Sequence, residues 1–443
     1  MLSSRLPKDL SPSPFFAELE RAKADVLAEC ANADALPFID MTVSSPVKAG
    51  LPVDLDDAVD EGRKAFGNWS PDAAGWKSAR EAVVEYYRER GGNFTAGQII
   101  LTASTSEAYS VLFKTFCDPG DVILTPMPGY PLLDTLAQLE HLECAPYFLK
   151  LKRETVKAKR NVILSEAKNP VTSSFRFVLD SDSLLAAPEH AKILLLVSPH
   201  NPTGHCVSRE EWNEAVRFCE ENNMILVVDE VFGDYAFSDK VSRTWQYVFG
   251  ERGNVILDPG VPSAIGEGIW DAGGGDFINL PENGPKCPIF WLNGLSKAVG
   301  SPQLKLGWMA FYAPRENFEE IRAALEFVED AYLSVSAPAQ ALGISLLPKA
   351  AAYELRVRER LLTNWQTLRE AFPSKYCPEV LGGWYAVVRL GEDDEELTLR
   401  LLREKHVLVQ PGFFFDFDED GWVVMSLQQD PAIFKEAIQR IKQ

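Results

Sequence analysis

KILLLVSPHNPTGHCVSREEWNEAVRFCEENNMILVVDEV, residues 192–231, reads as strand, turn, helix and strand. It opens on an apolar run, turns at Asn201-Pro202-Thr203-Gly204, and closes on a second apolar run ending at Asp229. The helix between them starts with a capping box, Ser208 followed three residues later by Glu211. Unbroken apolar runs mark strands buried on both faces, as in a parallel sheet covered by helices. Strand, helix and strand in this order is the unit from which such a sheet is built.

The same rhythm holds upstream. QIILTA (98–103) and DVILTP (121–126) predict strands, and TSEAYSVLFKTFC (105–117) predicts the helix between them, closed by Asp118-Pro119-Gly120. KSAREAVVEYYRERGG predicts a helix that stops at Gly91-Gly92, after a turn-rich loop, NWSPDAAGW (68–76). LPKDLSPSPFF (6–16) reads as an arm, and Phe16, Leu19, Ala22 and Val26 follow at helical spacing. Past Trp308, helices near 315–333 and 348–372 lead to GGWYAVVRL, HVLVQPG and WVVMSLQ, strands of a second, α+β unit. Two stretches interrupt the alternation: the basic and polar 152–173, and the long, Gly/Pro-rich 248–287. Both predict surface insertions, one of them disordered.

Composition bounds the function. Hydrophobic residues make up 46% and charged residues 24% of 443, an ordinary globular balance. The formal net charge of -20 argues against a nucleic-acid surface and against docking on anionic lipid. The 7 cysteines are scattered and form no C-x-x-C pair, so neither a disulfide framework nor a metal site is expected. Arg5 and Lys8 precede no apolar stretch, and no run reaches the length of a membrane span. The expectation is no signal peptide, no transmembrane helix and a cytoplasmic protein.

Four strand ends carry candidate chemistry, and each has a plain structural reading. Ala103-Ser104-Thr105-Ser106, at a strand-to-helix junction, suits a phosphate or serves as an ordinary N-cap. Asn201 lies in a tight turn where ligands bind in open α/β sheets, or in a common Asn-Pro turn. Asp229 closes a buried strand and needs a cationic partner, either a ligand nitrogen or a structural arginine. Lys297, in FWLNGLSKAVGSPQLKLGW (290–308), is a nucleophile if buried and a loop lysine if solvated. Together the four call for a phosphate, a ring hydroxyl, a pyridinium nitrogen and an aldehyde. Pyridoxal phosphate supplies that set.

On NPTG (201–204), Ser296-Lys297, TASTSEAY, MPGYPLLD and LVQPGFFFDF, the chain resembles the fold-type I, class I/II aminotransferases of the aspartate aminotransferase superfamily, from about residue 38 to 440. The resemblance implies an α/β large domain with a mostly parallel seven-stranded sheet flanked by helices, over 68–315, and a smaller α+β domain over 316–443. Residues 1–67 would give an arm and part of the small domain. It further implies that Lys297 forms the Schiff base, with Ser296 beside it, and that Asp229 pairs with the ring nitrogen. Asn201 would meet the ring oxygen and Tyr130 would stack on the ring. Ser104, Thr105 and Lys305 would hold the phosphate. The implied activity is ping-pong transfer of an amino group from a donor to an oxo acid, in a homodimer. A β-lyase, a decarboxylase or a non-catalytic cofactor-binding protein are the other readings.

Five positions depart from the family pattern. Lys305 stands where an arginine is usual, Phe232 and Trp69 where tyrosines are usual, and Gly294 where a serine is frequent. Val424 occupies the place of the arginine that clamps the substrate carboxylate, and no arginine lies from 404 to 439. Arg389 and Arg243 are the candidate substitutes. Without a clamp, the donor is not a simple α-amino acid.

Overall fold

The computed structural model describes the chain except residues 1–2, 4, 8, 12, 32–35, 68–69, 157–171, 239, 250–283, 334 and 392. Most of both predicted insertions, and with them the expected disorder, therefore lie outside the described residues, as does Trp69.

The chain enters through helix Pro14–Glu29, capped by the Ser13 hydroxyl, which accepts from Phe16 N. Phe15, not Phe16, joins Leu19, Ala22 and Val26 on the buried stripe; Phe16 stays half exposed and stacks on Phe414 at 4.7 Å. Strand β1 (Ile39–Asp40) follows.

The main sheet holds β2 (Ile99–Thr102), β3 (Val122–Met127), β4 (Glu143–Val156), β5 (Thr172–Leu179), β6 (Ala191–Val197), β7 (Ile225–Asp229), β8 (Ile289–Gly294) and β9 (Gly307–Tyr312). They lie in the order β2-β9-β8-β7-β6-β3-β4-β5. β3, β4, β6, β7 and β8 run parallel, and β2 shares their direction because both β2 and β8 pair antiparallel with β9. The sheet is mostly parallel, as predicted, with one strand beyond the expected seven. The extra strand is β5, the return of a long antiparallel hairpin with β4 that reaches into the 152–173 segment. Of the basic residues there, Lys152 and Arg153 lie exposed on the outer half of β4, which runs past the end of β3 and pairs with β5 alone.

Every residue of β2, β8 and β9 is buried, which explains their lack of polar alternation. The helix that was predicted to stop at Gly91-Gly92 spans Lys77–Glu89, and Gly91 takes the left-handed conformation (φ +82) that closes such a helix. The capping box at Ser208 and Glu211 is formed in both directions.

The C-terminal part begins with helix Phe318–Tyr332. A helix the sequence pattern did not announce, Ala337–Leu346, follows, and then Ala350–Ala371. Strands β10 (Tyr385–Arg389), β11 (Val407–Leu408), β12 (Gln410–Pro411) and β13 (Trp422–Ser426) come next. β13 sits between β10 and β12, antiparallel to both. β1 pairs in parallel with β11, which fastens the N-terminal segment to the C-terminal part. Glu329, on Phe318–Tyr332, is buried; its Oε1 has no partner among the described residues, and Glu107 is its charged neighbour.

Candidate active site

Ligands in open α/β sheets bind beyond the carboxyl ends of the strands. Here β2, β3, β6, β7 and β8 all end on one edge, and the predicted residues sit there in turn: Ser104 and Thr105 after β2, Tyr130 after β3, Asn201 after β6, Asp229 at the end of β7, Ser296 and Lys297 after β8.

Lys297 lies in the short turn Leu295–Ala298, and Gly294 before it packs against β9. A Cβ there would stand 3.0 Å from Gly307 Cα and from Leu306 O, so a serine would press on the β9 backbone. The Lys297 carbonyl accepts from the fully buried Tyr235 hydroxyl at 2.6 Å. The turn is braced from behind by Asn293, whose amide donates to Tyr86 Oη at 3.1 Å; Tyr86 in turn donates to Asp234 at 2.6 Å. The Lys297 amine stands 4.8 Å from the Trp384 ring centroid and 5.5 Å from that of Phe232. Burial pushes its pKa down to about 8, and the charge of Asp229 pulls the other way.

Asp229 is raised from the usual carboxylate value by burial, against hydrogen bonds from Val231 N (3.0 Å to Oδ1) and the Tyr109 hydroxyl (2.7 Å to Oδ2) and the field of Lys297. Burial thus drives both groups toward neutrality while each supports the other's charge. Tyr109 was not singled out from the sequence. The available signal was its spacing, one turn after Thr105 on the same helix face.

The Asn201 Oδ1 is buried and has no hydrogen-bond partner among the described residues. Ser104 is the N-cap of helix Thr105–Phe116, accepting from Glu107 N at 3.2 Å, so the plain reading of that hydroxyl also holds. Gly307 lies against this helix start. A Cβ there would come 3.1 Å from the Ser104 carbonyl carbon and 3.2 Å from Thr105 N. Lys305, two residues earlier, is exposed in a left-handed conformation (φ 52). Tyr130 is 49% exposed, on a turn tied to the C-terminal part by Gly129 N donating to Phe415 O at 2.8 Å.

Neither candidate substitute for the clamp presents a free guanidinium. Arg243 is spent on Asp234, 3.0 Å away. Arg389 pairs with Glu419 and lies 5.8 Å from the Trp422 ring.

Residues 55–441 match the family described as aminotransferase class I and II. The tyrosine aminotransferase of Caenorhabditis elegans is 22% identical over 79% of this chain; the match spans 65% of that relative's own length. The alanine aminotransferase of Mycobacterium tuberculosis is 25% identical over 78% of this chain and 71% of its own. The solved structure of an alanine aminotransferase from Pyrococcus furiosus superposes with a TM-score of 0.73 at 20% identity, covering 98% of each chain.

The chain belongs to the class I and II aminotransferase family. It is a transferase of the pyridoxal-phosphate-dependent kind on the fold-type I scaffold, as the motifs predicted. The residues present fit that cofactor. Asn201 keeps an unpaired buried oxygen for a ring hydroxyl, a helix start free of side-chain bulk at Gly307 suits a phosphate, and an amine of lowered pKa faces a carboxylate.

Proposed function

We propose that Lys297 is the residue that holds the cofactor, and that the chain moves an amino group from an amine donor to an oxo acid by a ping-pong sequence. The observation that carries this reading is an amine with a pKa near 8, buried beside Asp229 at the ends of adjacent strands. Pyridoxal phosphate, when bound, supplies an aldehyde that condenses with amines and a ring that accepts the electron pair released at the amino-bearing carbon.

The chain's own part is set by its geometry. Lys297, neutral for a substantial fraction of the time near pH 8, serves first as nucleophile and then as the base and acid that moves the proton on the substrate carbon. Asp229 keeps a ring nitrogen protonated, because a neighbouring negative charge favours the cation. Tyr109 and Val231 fix the carboxylate's direction. Ser104, Thr105 and Lys305 hold the phosphate end, Asn201 the ring oxygen and Tyr130 the ring face, with Ser296 at the turn. The division into 1–67, 68–315 and 316–443 belongs to the same reading, as do a homodimer and a cytoplasmic location. No helix among the described residues is long and apolar enough to cross a membrane.

Borohydride reduction of the loaded protein followed by peptide mapping tests the assignment. A cofactor adduct on the peptide carrying Lys297 is expected; an adduct on another lysine, or none, sinks it. Release of ammonia and pyruvate, or of CO2, in place of the pyridoxamine form would move the chain to the lyase or decarboxylase reading. A monomer in sedimentation at micromolar concentration would remove the homodimer.

A further inference from the structure

The wall beside the Lys297 amine carries no charge and one polar atom with nothing to bind. Trp384 is fully buried, its ring next to the amine, and its indole Nε1 has no acceptor among the described residues. Phe232 lies 5.3 Å from the Trp384 ring, and Tyr385 lies 6.0 Å from Phe232.

Tyr385 opens strand β10, which pairs with β13. Tyr385 is opposite Ser426, and Val387 is opposite Val424, which in turn is opposite Gln410. Cross-strand partners and alternate residues share a face, so Val424 and Gln410 lie on the face from which Tyr385 reaches Phe232. The one charged group acting on the Lys297 amine, among the described residues, is Asp229.

An indole N–H donates and cannot accept, so it selects an oxygen acceptor. As a single neutral donor it leaves most of the desolvation cost of a carboxylate uncompensated, whereas one such bond offsets the much smaller cost of burying a carbonyl oxygen. We propose that the amino donor is a primary amine bearing an uncharged carbonyl beside its amino-bearing carbon, as in an amino-acid amide, with Trp384 Nε1 as the donor to that carbonyl. This specificity rests on Lys297 being the cofactor lysine. The same wall meets the oxo partner, so a free oxo acid is taken in the slower half-reaction.

The test compares matched ligands: phenylalanine, phenylalaninamide and 2-phenylethylamine, with alanine and alaninamide as a second series. Single-turnover rates with the holoenzyme are expected to be about tenfold or more higher for each amide than for its acid, with the plain amine in between. Equal or faster reaction of the acids overturns the proposal. Trp384→Phe, which keeps a ring and removes the N–H, is expected to bring the amide down to the amine, about a tenfold loss. Val424→Arg is expected to reverse the order in favour of the acids.

Equilibrium binding to Lys297→Ala, followed by intrinsic tryptophan fluorescence, reads the same preference without turnover. Tighter binding of amide than acid there supports the wall even if the borohydride adduct maps elsewhere. An adduct on Lys297 with acids bound more tightly retains the function and rejects the wall. The wild-type ligand series decides the matter should either wall variant fail to fold.

Discussion

Asp229 and Glu329 are both carboxylates taken out of water, and they are held in opposite ways. Asp229 ends a strand and has a tyrosine hydroxyl, a backbone N–H and a lysine around it. Glu329 lies on a helix with one oxygen unpartnered among the described residues and another glutamate as its charged neighbour. Burial raises the pKa of both, that of Glu329 to about 8. Burial alone therefore does not mark a functional acid. The difference is whether the surroundings stabilise the charge, and at Asp229 they do.

The largest expected effect comes from removing that charge. Asp229→Asn keeps the shape and the Tyr109 contact, and turnover of the loaded enzyme is expected to fall about a thousandfold. A loss under about tenfold would place Asp229 with Glu329 as a merely buried acid. The next effect concerns the lysine. Lys297 condenses with an added aldehyde only as the neutral amine, whose fraction grows as pH rises through about 8. The rate of condensation in the cofactor-free protein is expected to rise with that midpoint. In Asp229→Asn the midpoint should move lower, since the carboxylate no longer favours the ammonium; an unmoved midpoint separates the two groups.

Tyr109→Phe removes one hydrogen bond to Asp229, and about a tenfold loss in kcat is expected with folding intact. The smallest effect is on stability. The folded pKa of Glu329 lies above its unfolded value, so between about pH 4.5 and 8 the folded chain retains a proton the unfolded chain has released. That group's contribution to stability falls as pH rises through the window. Glu329→Gln should flatten the fall and raise stability at pH 8 by about 1–2 kcal/mol in urea unfolding. An unchanged slope would mean that Glu329 has a cationic partner in solution.

The strand ends were legible because strands buried on both faces appear as uninterrupted apolar runs, and the residues just past each run lie on the site edge. Lys297, Asp229 and Asn201 could be placed on that ground. The β4–β5 hairpin was not legible, since Lys152 and Arg153, exposed on the part of β4 that extends beyond β3, resemble a solvated loop. Ala337–Leu346 was not legible either, because its small and apolar residues show no helical period. Tyr109 and Trp384 act on the site only through tertiary convergence. GGWYAVVRL announced a strand but not that its tryptophan would lie against a lysine 87 positions earlier. That Val424 stands in the place of the clamp arginine could be read from the sequence, yet the fate of Arg243 and Arg389 required their partners to be seen.

The pairing of β1 with β11 has a consequence for synthesis on the ribosome. Ile39 finds its ladder partner only when Val407 has emerged, after the whole main sheet has been made. The segment that carries Ile39 must therefore stay uncommitted while the main sheet assembles behind it, a long-range closure that slows the step and leaves that segment open to chaperones in the meantime.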